Sequence, residues 1–222
     1  MRQVFIGIIT EGTTDARFLE KIIERTFFNV ALDCYNDIEP VIQTIKVDKS
    51  DSLFQDYVVR ASQKGVEDFG MMILCVHCDA DARDIVNVVN NKITPAIDAL
   101  NKENATTTCQ ILVPVIPIQM IEAWMLADRQ LLKEEIGTDL TDTELGINKS
   151  PELITDPKKV IGEAIRIARQ KITKRRRHDL TISDLYMPIG QKVSIESLQT
   201  LSSFRHFQEG VRSAYRQLHL LP

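Results

Sequence analysis

Two acid-rich segments carry the residues best suited to chemistry. MMILCVHCDADARD, residues 71 to 84, is a hydrophobic run that ends in Asp79 and Asp81, one residue apart, with Asp84 close behind. IITEGTTDARFL, residues 8 to 19, ends its own apolar run in Glu11, followed by Asp15. Carboxylates crowded in this way repel one another unless a cation neutralises them, and hard divalent ions take oxygen ligands of this kind. Magnesium binds through one or two carboxylates and keeps waters and substrate phosphates in its remaining positions. Asp79 and Asp81 are therefore read as metal ligands, while Gly12 gives a tight turn after Glu11 and room for a phosphate. Each segment alone has a plain structural alternative: Asp81 can cap the next helix, and Asp15 suits a first helical turn. Two such signals at the same edge of one sheet favour a shared site.

That edge follows from the elements around the acids. Apolar runs at 4–10, 40–47, 71–78 and 109–118 read as strands. Helical patterns alternate with them. Thr14 or Asp15 opens a helix that carries Phe18, Leu19, Ile22 and Ile23 on one face. A second helix carries Leu53, Tyr57, Val58 and Ala61 and closes near Gly65. A third spans 83–100, and IEAWMLADRQLLKEEI is one helix over 121–136. Strands that are apolar throughout, alternating with helices, predict a parallel four-stranded sheet between helices, an α/β core over residues 1–136. Residues 137–222 are polar and turn-rich at first, then helical at 157–173 and 203–218, which predicts a helical C-terminal lobe. Ligands of open α/β sheets bind beyond the carboxyl ends of the strands. Glu11, Asp79 and Asp81 belong to that edge, and Glu122, just past the fourth strand, joins them as a metal ligand or serves as a helix-start acid.

The glutamate after the first strand and the D-x-D after a later one resemble the TOPRIM domain of topoisomerases, bacterial primases, recombination proteins and old-family nucleases. The likeness covers roughly residues 1–130. VPVIPIQMIEAWMLAD, DPKKV and SFRHFQEGVR extend it to a group of bacterial TOPRIM-like proteins encoded beside ATPases in phage-defence settings. The resemblance implies that Asp79 and Asp81 bind Mg2+ or Mn2+, and that Glu11 is a metal ligand or the general acid–base at a scissile phosphate. It implies that Asp15 serves a second metal. Tyr35, Tyr57, Tyr186 and Tyr215 have no context for a topoisomerase nucleophile, and no zinc module of a primase is present. Nuclease-type members also use a late lysine, for which Lys133 or a residue of the basic tract stands here.

That tract is KITKRRRH, 171–178. Lys171, Lys174, Arg175, Arg176 and Arg177 are candidate nucleic-acid contacts, with DNA ahead of RNA, against a solvated helix end as the alternative. A net charge of -4 and 26% charged residues exclude a uniformly basic coat but leave room for a local groove. No run reaches the roughly 18 apolar residues of a membrane span, and no secretory leader precedes the first strand, so a cytoplasmic protein is expected. Cys34, Cys75, Cys78 and Cys109 read as reduced thiols. The Cys75–Cys78 pair lacks the second ligand pair of a zinc site and lies on a strand, where cysteine is a small hydrophobe. His77 and Trp124 read as core residues.

The functional expectation is a divalent-metal-dependent phosphodiesterase, a nuclease acting on nucleic acid in phage defence or DNA processing. The alternative is a non-catalytic TOPRIM-derived module that binds nucleic acid or nucleotide beside a partner ATPase. A phosphoryl-transfer enzyme on free nucleotides is a third reading, which the basic tract weakens.

Overall fold

The computed structural model describes residues 1–48, 53–170 and 180–222. Strands β1 (Arg2–Ile9), β2 (Ile38–Thr44), β3 (Ile73–His77) and β4 (Leu112–Val115) form one parallel sheet in the order β2-β1-β3-β4. Both faces are covered, so the strands alternate between two hydrophobic cores rather than between core and water. On β3, Ile73 and Cys75 enter one core while Leu74 and Val76 enter the other. The chain is thus α/β as expected, and consistent with a TOPRIM-like architecture.

Helix α1 (Thr13–Ala31) covers the first face with Phe18, Leu19, Ile22, Ile23, Phe27 and Val30. Helix α2 (Phe54–Phe69) covers the second, together with α3 (Val86–Val88), a π-helical turn at Val89–Ile93, and α4 (Thr94–Leu100). The later helices return to the first face: α5 (Glu122–Met125), α6 (Arg129–Ile136), α7 (Asp142–Leu145), α8 (Pro157–Gln170), α9 (Tyr186–Lys192), α10 (Ile195–Leu198) and α11 (Ser202–Gln217). Their apolar residues share one core with α1, and α9 and α11 pack directly on it. Gly190 permits the closest approach, because a Cβ there would lie 2.3 Å from the Phe18 carbonyl oxygen. Among the described residues, no helix is long and apolar enough to cross a membrane.

Several boundaries differ from the sequence expectation for physical reasons. Helix α2 does not close at Gly65 but runs on to Phe69, where Gly70 takes the left-handed conformation of a C-cap. Gly65 instead lets the helix approach the sheet, since a Cβ there would meet Met71 and Ile45 within 2.8 Å. Strand β4 is much shorter than 109–118: Pro114 already occupies the register opposite Val76, and Pro117 follows. The helix expected over 121–136 is two. Asp128 breaks it by capping α6, its Oδ1 accepting the Leu131 amide at 3.0 Å.

Candidate functional site

Topology decides where the strand ends open. β1 leads into α1 on the first face, whereas β2 and β3 lead into helices on the second. Connections that part to opposite faces leave a crevice beyond the carboxyl ends of neighbouring strands. The gap between β3 and β4 is closed by backbone hydrogen bonds: Ala80 N to Pro117 O (3.1 Å), Asp81 N to Gln119 O (2.9 Å) and Gln119 N to Ala82 O (3.0 Å). Asp81 and Gln119, facing each other there, both have positive φ, at 50° and 62°. Such backbone is uncommon outside glycine and is held by the surrounding structure.

The crevice between β1 and β3 gathers the acids. Asp15 reaches back from α1 so that its Oδ2 accepts the Gly12 amide at 2.7 Å. Gly12 does not provide the expected turn: its backbone is extended, at φ -139° and ψ 167°, a conformation open to any residue. What glycine supplies is space, because a Cβ would sit 3.2 Å from Asp15 Oδ2. At the end of β3 the His77 side chain is fully buried between two carboxylates. Its Nε2 lies 3.3 Å from Asp79 Oδ1 and its Nδ1 3.8 Å from Asp15 Oδ2. Nδ1 has no hydrogen-bond partner. The same Asp79 oxygen accepts the Ile121 amide at 3.0 Å. Burial raises the Asp79 pKa; the His77 contact opposes the rise, while the charges of Asp15 and Glu11 add to it.

Asp81 is exposed and does not cap the following helix, whose N-cap is Ile85; just before it, Asp84 Oδ1 accepts the Val86 amide at 3.0 Å. Glu122 is buried, and Tyr186 from α9 donates its hydroxyl to Glu122 Oε1. Burial raises the Tyr186 pKa strongly, with further contributions from the Glu122 hydrogen bond and from the charges of Asp15 and Asp79. Glu122 therefore adjoins the other acids through Tyr186, a residue that sequence reasoning missed as a site member.

A second missed residue is Lys92. Its Nζ donates to Glu11 Oε1 at 3.1 Å and lies 5.8 Å from the Phe54 ring centroid. Burial works against its charge, but the Glu11 hydrogen bond and the charges of Glu11, Cys78 and Asp81 outweigh this and raise its pKa. Lys92 lies in the π-helical turn, where an inserted residue re-aims side chains; such turns are frequent at functional sites. Lys133, proposed from the sequence, pairs with Asp142 at 2.9 Å and ties α6 to α7. The tract Lys171, Lys174, Arg175, Arg176 and Arg177 lies outside the described residues.

Cys75 and Cys78 are buried in opposite cores, which is the placement of small hydrophobes rather than of a ligand pair. Burial pushes the Cys78 thiol up to about 12.

Among the described residues, no three His, Cys, Asp or Glu side chains are already grouped to hold a metal ion. Protein donors engage the acids instead: Lys92 for Glu11, Gly12 for Asp15, Ile121 for Asp79 and Tyr186 for Glu122. The donor set itself is all oxygen at the carboxylates, which suits a hard cation. Comparison of the chain with protein-family models, curated proteins and solved structures gives no match.

Proposed function

We propose that this chain is a divalent-metal-dependent phosphodiesterase acting on nucleic acid at the β1–β3 crevice, with a TOPRIM-like site. The observation that supports it most is the convergence of acids beyond the ends of β1 and β3: the buried His77 ring lies 3.3 Å from Asp79 and 3.8 Å from Asp15, and burial together with the charges of Asp15 and Glu11 raises the Asp79 pKa. A protein that needs these acids only for folding gains nothing from such crowding, and perturbed carboxylates in a crevice mark functional sites.

Asp79 and Asp81 would hold Mg2+ or Mn2+, and Asp15 would serve a second ion. The metal, when bound, supplies neutralisation of phosphate charge and a more acidic water. Once Lys92 has turned from Glu11 to a non-bridging phosphate oxygen, Glu11 accepts the proton of the attacking water; as the new P–O bond forms, the P–O bond to the leaving oxygen breaks and solvent protonates that oxygen. A lysine ammonium there stabilises charge developing on phosphorus-bound oxygens. Buried His77 holds Asp79 in place, and Tyr186 orders Glu122 behind the crevice.

The test is cleavage of plasmid, single-stranded DNA and RNA with magnesium or manganese, comparing the wild type with Glu11→Ala and Asp79→Ala/Asp81→Ala. Metal-dependent cleavage by the wild type, lost in both variants, is the expected outcome. No cleavage by the wild type, or equal cleavage by the variants, rejects it. The second reading, a non-catalytic module that binds nucleic acid or nucleotide for a partner ATPase, has its own observation. Glu11 is already ion-paired to Lys92, and no three ligands are pre-assembled. Nucleic-acid binding without cleavage would select it.

A further inference from the structure

We propose that the crevice on the other side of β1, between β1 and β2, is the subsite for one unpaired nucleotide of a DNA strand. The proposal rests on the phosphodiesterase reading only for placing the scissile phosphate at Glu11.

The same topology that opens the β1–β3 crevice opens this one, because β1 and β2 also lead to opposite faces. The crevice holds a cavity of about 390 Å3 that runs from Glu11 and Gly12 along Ile45, Lys46 and Val47 to Tyr57 on α2. That volume is at the lower end of the ~300–1,000 Å3 typical of small-molecule sites. That is room for one nucleotide.

The walls are fixed by packing. Ile45 wedges against Gly7 and Gly65, where an added Cβ would come within 2.4 and 2.8 Å of its Cδ1. Arg60 Nη2 donates to the Asp48 carbonyl at 3.3 Å, tying the segment after β2 to α2.

Their chemistry is that of a base pocket. Tyr57 offers a partly covered aromatic face, Ile45 and Val47 an apolar lining, and Lys46 an exposed ammonium for a neighbouring phosphate. Glu11, on the rim shared with the acidic crevice, is the one acid among the lining residues. Bases stack on aromatic side chains whatever their sequence, and cations beside them track the backbone. A strand seated here places the phosphate next to the stacked base at Glu11. The substrate is thereby read as single-stranded at that position, whether a free strand or a frayed end.

The experiment is fluorescence anisotropy of the full chain with a labelled single-stranded DNA oligonucleotide and with its duplex, in calcium so that binding is separated from cleavage. The single strand is expected to bind more tightly than the duplex. Tyr57→Ala should lose about five- to a hundredfold of that affinity, the contribution of one base–aromatic stack, while Tyr57→Phe keeps it. Lys46→Ala should weaken binding and flatten its salt dependence.

Equal affinity for single strand and duplex, or a folded Tyr57→Ala that binds like the wild type, overturns the proposal. So does dTMP displacing the oligonucleotide at an affinity equal to the strand's own, which would identify a mononucleotide site. Tyr57-dependent binding without metal-dependent cleavage would leave the subsite standing and remove the catalytic reading. Glu11-dependent cleavage indifferent to Tyr57 would do the reverse.

Discussion

The two crevices beside β1 share Glu11 and differ in almost everything else. On the β3 side the strand ends present Asp15, Asp79 and a buried imidazole, with Lys92 facing Glu11 from the second face. On the β2 side they present Lys46, Tyr57 and aliphatic residues. One side concentrates carboxylates that protein donors engage one by one; the described lining of the other combines Lys46 with Tyr57, aliphatic side chains and threonines. The contrast separates two tasks at one glutamate: handling charge at a phosphate, and holding the base next to it.

The largest expected effect comes from breaking that division at its shared residue. Under the phosphodiesterase reading, Glu11→Ala should lower the rate of cleavage by about 10²- to 10⁴-fold, the range of a general base, and leave single-strand affinity nearly unchanged. Tyr57→Ala should show the opposite split, with a raised KM and a smaller change in kcat. If both variants alter the same parameter, the crevices are not separate in function.

The next effect tests the acidic side alone. His77 touches Asp79 and faces Asp15 without direct access to solvent, so its influence must pass through them. His77→Ala should lower Mn2+ affinity by about 10- to 100-fold, as removal of a residue supporting metal ligands does. His77→Gln, whose amide can still reach Asp79, should recover part of it. Electron paramagnetic resonance of free and bound Mn2+ reads the difference without any turnover.

Asp79→Asn sharpens the same comparison through stability. Because the folded protein raises the Asp79 pKa, ionised Asp79 costs the native state stability at neutral pH. The cost disappears as pH falls through the raised pKa and the group protonates. Asn keeps an oxygen for the Ile121 amide and removes the charge. The variant should therefore melt higher than the wild type at pH 7, with the gap closing in acid, while cleavage is lost. A lower melting temperature at pH 7 would show that Asp79 is a structural acid.

These residues were not equally legible in the sequence. Glu11, Asp79 and Asp81 end apolar strands, and that local signal placed them at the right edge. Lys92 was missed: its contact with Glu11 depends on a π-helical turn between α3 and α4, which VNVVNNKITPAIDAL marks only indirectly through Pro95, a residue with no amide to donate that crowds the carbonyl four residues back, inside that turn. Tyr186 was hidden for a different reason, being brought to Glu122 by the packing of α9 on α1 through Gly190, a contact between distant parts of the chain. The fold class followed from periodicity alone, whereas the short β4 and the break at Asp128 required hydrogen-bond partners that only the assembled structure supplies.

The smallest expected effect is a control on whether the crevices can be disturbed from afar. Glu152 accepts the Ser202 and Ser203 amides at 3.0 and 2.8 Å, and both their hydroxyls, at the start of α11. Ser203 Oγ in turn accepts the Trp124 indole N–H at 2.8 Å. Burial opposes the Glu152 charge, but these donors outweigh it and lower the pKa. A depressed carboxylate pKa contributes stability that is present above the unfolded value, about 4.3, and is lost as pH falls through the folded value. Glu152→Gln should therefore cost about 1–2 kcal/mol at neutral pH, since a charged acceptor becomes a neutral one, and nothing in strong acid. Urea unfolding followed by Trp124 fluorescence measures both limits. Because Glu152 touches neither crevice, cleavage and single-strand binding should stay at the wild-type level below the unfolding transition. A loss of either function there would mean that α11 and the Trp124 network set the geometry of the site, and that the division at β1 is less local than the strand ends indicate.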